Sequence, residues 1–211
     1  MTIKLKSGMT VHAGRMLLEE TKRFSNEGKA VGEYVKNSWQ YTDHDPTVEI
    51  FVDQENKSIR IKDNSRGMNV KEINERFLVL GQENQERAKG DFGRGEYGTG
   101  KVAALGIGTV LRVRTVRDNK LTEFEIRRSD CDAKISEKVV KARWIKQNVD
   151  TTEKSGTTVD ILNFRLKRPI KINSIKEFLQ SKTLTETVYK HKIKLFLQEE
   201  EIEKKEIPFS E

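Results

Sequence analysis

Residues 90–108 read Gly-Asp-Phe-Gly-Arg-Gly-Glu-Tyr-Gly-Thr-Gly-Lys-Val-Ala-Ala-Leu-Gly-Ile-Gly and hold seven of the chain's 14 glycines. A backbone without β-carbons lets amide N–H groups approach an anion closely. The apolar stretch that follows predicts a helix from about Gly100 to Leu105, whose first N–H groups are free to meet a phosphate. The run is therefore a candidate phosphate cradle, with Lys101 placed at the helix start to neutralise phosphate charge. One architecture for them is a self-contained phosphate loop, G-x-x-x-x-G-K-[S/T]. Gly95 to Lys101 fits its first seven positions, but the eighth is Val102, which lacks the hydroxyl needed on Mg2+, and no apolar strand precedes Gly95.

The rival architecture draws on residues far away in the chain. The segment 28–41 predicts a helix with Glu33 and Asn37 on one face and Val31, Val35 and Trp39 broadly on another. Asn37 offers a neutral amide oxygen, a hard ligand suited to a Mg2+ that keeps phosphate oxygens and waters. Glu33, one turn earlier, is placed to orient or deprotonate a water near the same phosphates. Further on, Ile59-Arg60-Ile61-Lys62-Asp63-Asn64-Ser65-Arg66-Gly67-Met68 runs from a strand into a tight turn. An Asp at a strand end can accept from the exocyclic amine of adenine, and Met68 can lie on the ring. Ser155-Gly156-Thr157-Thr158 opens a later strand. Each piece alone is ordinary: a solvated helix face, a β-turn, a strand start.

Their order and spacing are not ordinary. Glu-x-x-x-Asn on a helix, Asp-x-x-x-Gly-Met after a hairpin, a glycine-rich lid running into a helix, and Gly-Thr opening a strand together resemble the GHKL ATPase superfamily (gyrase, HSP90, histidine kinase, MutL) over about residues 10–165. The resemblance implies a Bergerat-type ATP-binding fold. It makes Asn37 the Mg2+ ligand, Glu33 the general base, and Asp63 the reader of adenine, with Gly67 and Met68 lining the base pocket. Gly93, Gly95, Gly98 and Gly100 become lid glycines over the phosphates, and Thr157 supports Asp63. It further implies an ATP-dependent homodimer and, because Glu33 stands in the base position, a hydrolysing branch rather than a kinase.

Two departures stand out. Ser65 occupies a position that is glycine in most of the family, and Lys101 is no family requirement. The family's hydrolysing members also draw a lysine from a second domain; residues 191–211 read as a terminal hairpin or the start of such a domain, after an ATP-binding domain over 1–190. His12 and His44 read as a surface and a loop histidine, and His191 opens the last hairpin.

Positioning these groups requires a sheet. Thr47–Val52 and Ser58–Ile61 alternate as a hairpin with Asn56 at its turn, and Thr109–Val116 and Leu121–Arg127 form another through Asp118-Asn119. Residues 139–146 and 157–162 add two strands, and 191–197 with 201–207 a last hairpin, although 198–206 also fits a helix. Helices are expected over 12–23, 70–80 and 174–184. Helices first and then sequential strands predict an α+β, two-layer α/β sandwich: a mixed, mostly antiparallel sheet with helices on one face.

The chain has 211 residues, enough for one domain with a real core. No run of ~18 apolar residues is present, so no membrane helix is expected. A single cysteine, Cys131, and no apolar leader point to a cytoplasmic location. The net charge is +7, and residues 109–146 carry eleven Lys/Arg against six Asp/Glu. Arg112 and Arg114 share one strand face, either a solvated surface or one that holds nucleic acid. A non-hydrolytic, ATP-switched nucleic-acid-binding module is the alternative to an ATPase.

Overall fold

In strand β3 (Thr47–Asp53), Val48, Ile50 and Val52 are buried while Glu49 and Phe51 face solvent. Strand β4 (Ser58–Asp63) does the same with Ile59 and Ile61 against Arg60 and Lys62. This two-residue period fixes which face meets the core. The structure, a computed structural model, describes residues 3–4, 10–11, 22–24, 26–39, 45–79, 100–132, 142–181 and 192–203. Of the helix expected over 12–23, residues 12–21 lie outside the described residues and Lys22–Phe24 forms a 3-10 turn; the lid over 81–97 also lies outside them, as do His12, His44 and His191.

Two short strands, β1 (Ile3–Lys4) and β2 (Thr10–Val11), pair with each other. The remaining strands form one eight-stranded sheet. They are β3, β4, β5 (Gly108–Arg117), β6 (Lys120–Arg127), β7 (Arg143–Asp150), β8 (Gly156–Phe164), β9 (Lys194–Leu197) and β10 (Glu200–Glu201), in the order β10-β9-β3-β4-β8-β5-β6-β7. Every neighbouring pair is antiparallel except β3 and β9. The chain is thus α+β with a mixed, mostly antiparallel sheet, as its patterning predicts.

Turn chemistry sets the strand ends. Asp118 and Asn119 both take φ near +50° (51° and 56°), the two-residue turn whose twist suits a hairpin. In the β3–β4 link the left-handed residue is Lys57 (φ 50°) and not Asn56, which instead donates from its amide and side chain to the Asp53 carboxylate. Strand β7 lies further along than expected; Asn148, at φ 56°, accompanies a shift of register against β6. At the far edge Gln198 sits in the β9–β10 turn. Its side-chain amide accepts from Val52 N (2.8 Å) and donates to Val52 O (3.1 Å), standing in for one more residue of strand. Glu200–Glu201 is strand, not helix.

The helices cover the apolar face of the sheet. Helix α1 (Glu27–Trp39) is capped by Asn26, whose Oδ1 accepts from Lys29 N at 3.1 Å, and it buries Ala30, Val31, Tyr34 and Val35. After β4 come α2 (Val70–Glu72), continued by a π turn over Ile73–Phe77, then α3 (Ala104–Ile107) after a 3-10 turn at Gly100–Val102. A short α4 (Arg128–Asp132) was not legible in the pattern, and α5 (Ile172–Leu179) packs on α1. Gly28 and Gly32 make the notch for that contact: a β-carbon on either would meet the Phe178 side chain at 2.5 or 2.4 Å. The same junction holds a fully buried carboxylate, Glu27, which accepts from Arg168 through both oxygens (2.8 and 2.9 Å) and from Lys171 N (2.9 Å).

Candidate functional site

Strand β4 ends at Asp63, and the residues that surround its carboxylate come from three strands. Asp63 pairs with Thr157 on β8, and Thr157 with Thr115 on β5. Asp63 Oδ1 accepts from Ser65 N (3.0 Å), Ser65 Oγ (2.5 Å) and Thr157 N (3.1 Å). Burial pushes the Asp63 pKa up, and the donors from Ser65 and Thr157 only partly offset it.

The turn beyond is fixed by close backbone approach. Gly67 takes φ 71°, and a β-carbon there would stand 2.0 Å from Val116 O, so no other residue fits. Met68 N donates to Thr115 Oγ1 at 2.8 Å, and the same hydroxyl lies 3.3 Å from both Gly156 O and Thr157 Oγ1. Gly156 lies over the strand end, where a β-carbon would come within 2.4 Å of Asp63 O. Below it, Glu72 accepts from Arg66 (2.9 Å) and Arg117 (2.5 Å) and completes a capping box with Asn69, tying the turn to the β5–β6 hairpin.

Helix α1 supplies the second group. Glu33 and Asn37 are partly buried, one turn apart. Glu33 Oε1 accepts from Lys36 at 3.2 Å, while Oε2 reaches Gly100, where a β-carbon would stand 2.5 Å away. The Asn37 side chain makes no hydrogen bond among the described residues. One turn inward, the Tyr34 hydroxyl accepts from Ala104 N at 3.1 Å and so fastens the start of α3; burial pushes its pKa well above the ordinary value.

Several of the candidates from the sequence therefore come together. Asp63, Gly67, Met68 and Thr157 form one cluster, and Glu33, Asn37 and Gly100 another. Gly93, Gly95 and Gly98 lie outside the described residues, as does the Lys101 side chain. Val102 is fully buried, which removes the self-contained phosphate loop: its eighth position is core. Thr115 and Tyr34 join the site without having been singled out, and Gly156 of the Gly-Thr strand start lies against Asp63. Thr115 carried a signal, a hydroxyl in the inward register after Leu111 and Val113; Tyr34 reads as core by type and carried none.

The family described as histidine kinase-, DNA gyrase B-, and HSP90-like ATPase matches residues 25–157, more than half of the chain. The chain belongs to this family. The match begins just before α1 and ends at Thr157, so it spans both clusters. A search of curated proteins found no relative. Membership in this ATPase family supports ATP binding, and the matched range contains Glu33, Asn37, Asp63 and Thr157. Among the described residues no helix is long and apolar enough to cross a membrane.

Proposed function

We propose that the chain is a Mg2+-dependent ATPase domain in which a glycine-rich lid closes over the phosphates and couples nucleotide state to dimerisation. The observation that carries this reading is the contact of Glu33 Oε2 with Gly100: the candidate base on α1 meets the C-terminal end of the glycine-rich run. Asp63 accepts from the adenine amine, with Thr157 N and Ser65 holding its carboxylate. Gly67 and Met68 line the base, and Glu33 takes a proton from the attacking water.

The donor set fits Mg2+. Asn37 contributes one neutral oxygen, and among the described residues no three His, Cys, Asp or Glu converge into a metal cage. Such a site suits an ion whose other ligands are phosphate oxygens and waters. Bound Mg2+ would neutralise phosphate charge as the bond to the γ-phosphoryl group breaks. Asn37 holds it on the α1 face, one turn from Glu33.

The pairing of the open sheet face favours an ATPase over a nucleic-acid module. Arg60, Asp160, Arg112, Glu125 and Arg143 follow one another across five strands. Asp160 takes Arg60 at 2.7 Å, Glu125 takes Arg112 (2.6 Å) and Arg127 (3.1 Å), Asp130 takes Arg143 (2.9 Å), and Glu153 takes Arg114. Ion pairs thus engage Arg60, Arg112, Arg114, Arg127 and Arg143, which weakens the field these arginines present to phosphates.

Titration calorimetry with ATP and Mg2+, followed by a steady-state phosphate-release assay, tests the reading. ATP binding with slow turnover is expected; no heat with either nucleotide or metal would overturn it. Amide exchange over residues 81–97 should slow when ATP is added if those residues are the lid.

A further inference from the structure

Ser65 is 4% exposed, and both its amide and its hydroxyl act on Asp63 at the end of β4. Its hydroxyl donates to Asp63 Oδ1 at 2.5 Å and its amide to the same oxygen at 3.0 Å; Thr157 N adds a third donor at 3.1 Å. Ser65 Oγ also accepts from Gly67 N at 3.5 Å. One hydroxyl has a hydrogen and two lone pairs, so both contacts coexist. No described residue donates to Asp63 Oδ2. The terminal torsion of an aspartate is soft. The three donors, not the residue itself, decide which oxygen is turned inward.

We propose that Ser65 is a specificity-determining residue: by holding Asp63 Oδ1 it presents Oδ2 as a pure acceptor and selects a purine with an amino group at C6 over one with oxygen there. The proposal rests on the ATP-pocket reading above. An ionised carboxylate has no hydrogen to give. Toward a C6 amine it accepts; toward a C6 oxygen two acceptors face each other, and a site built for one hydrogen bond rejects the analogue that cannot make it. Without the hydroxyl the carboxylate keeps two backbone donors but loses the shortest, and it gains freedom to rotate. Burial already favours its protonated form, which can donate to a C6 oxygen.

The same geometry makes a second demand. Two backbone N–H groups and a hydroxyl converge on the Oδ1 position, so an asparagine at 63 must place its oxygen there and turn its NH2 toward the base. Acceptor becomes donor, and the preference inverts.

The experiment is titration calorimetry of the wild-type chain, Ser65→Ala, Ser65→Gly and Asp63→Asn, each with Mg-ATP and Mg-ITP, which differ at C6. Wild type should prefer ATP by ~100-fold, the upper worth of one hydrogen bond to a charged group. Either Ser65 variant should remain folded, with a lowered thermal melt, and lose ~10-fold of that ratio, the worth of one hydrogen bond to a charged group. Asp63→Asn should favour ITP. An unchanged ratio in the folded Ser65 variant, alanine or glycine, overturns the role of Ser65. An Asp63→Asn that still prefers ATP overturns the inward orientation of Oδ1. A wild-type chain that binds ATP but not selectively defeats this inference alone, whereas no ATP binding at all defeats the pocket reading instead.

Discussion

Glu33 and Gly100, distant in the chain, stand against each other so closely that a β-carbon on Gly100 would lie 2.5 Å from Glu33 Oε2. If Glu33 is the base, its aim depends on that glycine. Glu33→Ala should lower kcat by ~10²–10⁴-fold with ATP affinity nearly kept. Gly100→Ala should lower kcat by displacing the carboxylate, also without a matching loss of binding. Single-turnover phosphate release beside calorimetry separates the two effects, and full turnover in Glu33→Ala would remove the assignment.

Asn37 tests the metal. Its amide makes no other hydrogen bond among the described residues, so Asn37→Ala should leave the melt almost unchanged. ATP affinity measured with Mg2+ should fall ~10-fold or more while affinity in excess chelator stays put. Equal losses with and without metal would point to a role other than metal binding.

Thr115 holds the turn that carries Met68. Thr115→Val keeps the shape but leaves Met68 N–H without its 2.8 Å acceptor, at a cost of ~1–3 kcal/mol. Thermal denaturation should show the loss, ATP affinity should weaken with it, and Thr115→Ser should restore both.

Acid should find the Glu27–Arg168 junction. Burial raises the Glu27 pKa, but the bonds from Arg168 and Lys171 N outweigh it and hold the carboxyl at about 2. A folded value below the unfolded one means the stabilisation is complete above the ordinary carboxylate range near 4.5 and is lost as pH falls toward 2. Because Arg168 is 43% exposed, solvent screens the pair and the contribution is set at ~2 kcal/mol. Urea melts of wild type and Glu27→Gln between pH 5 and ~2.5 should converge as the pH falls; parallel curves would show that Glu27 is not the group that titrates.

The α1–α5 notch gives a purely structural check. Gly32→Ala places a methyl 2.4 Å from the Phe178 ring, and the overpacking should cost ~1–3 kcal/mol in a thermal melt. Restoration by Phe178→Leu in the same chain would show that the ring is the obstacle.

The sheet was legible because alternation is local. Val48, Ile50, Ile59, Ile61, Leu111 and Val113 report a buried face by their spacing alone, and Asp118-Asn119 reports its turn by residue type. Edges were less so: β7 is exposed along its whole length, and a strand with two wet faces has no pattern to read. Asp63, Gly67, Met68 and the Gly156-Thr157 pair could be proposed from sequence because a motif keeps their order, yet Thr115 and Tyr34 reach the same site through strand register and helix packing. Register is a relation between segments, and no single segment carries it.

By itself the sequence determined the α+β class, the family, and the residue types able to bind ATP. Only the tertiary structure decided what faces what. It turned Asp63 Oδ1 toward Ser65 and Thr157, buried Val102 where a phosphate loop needs a hydroxyl, and set Glu33 against Gly100. It also gave Arg60 and Arg112 their carboxylates, because antiparallel pairing puts Asp160 and Glu125 beside arginines that are remote in sequence. Composition counts charges; the pairing of strands decides which of them remain to meet a partner.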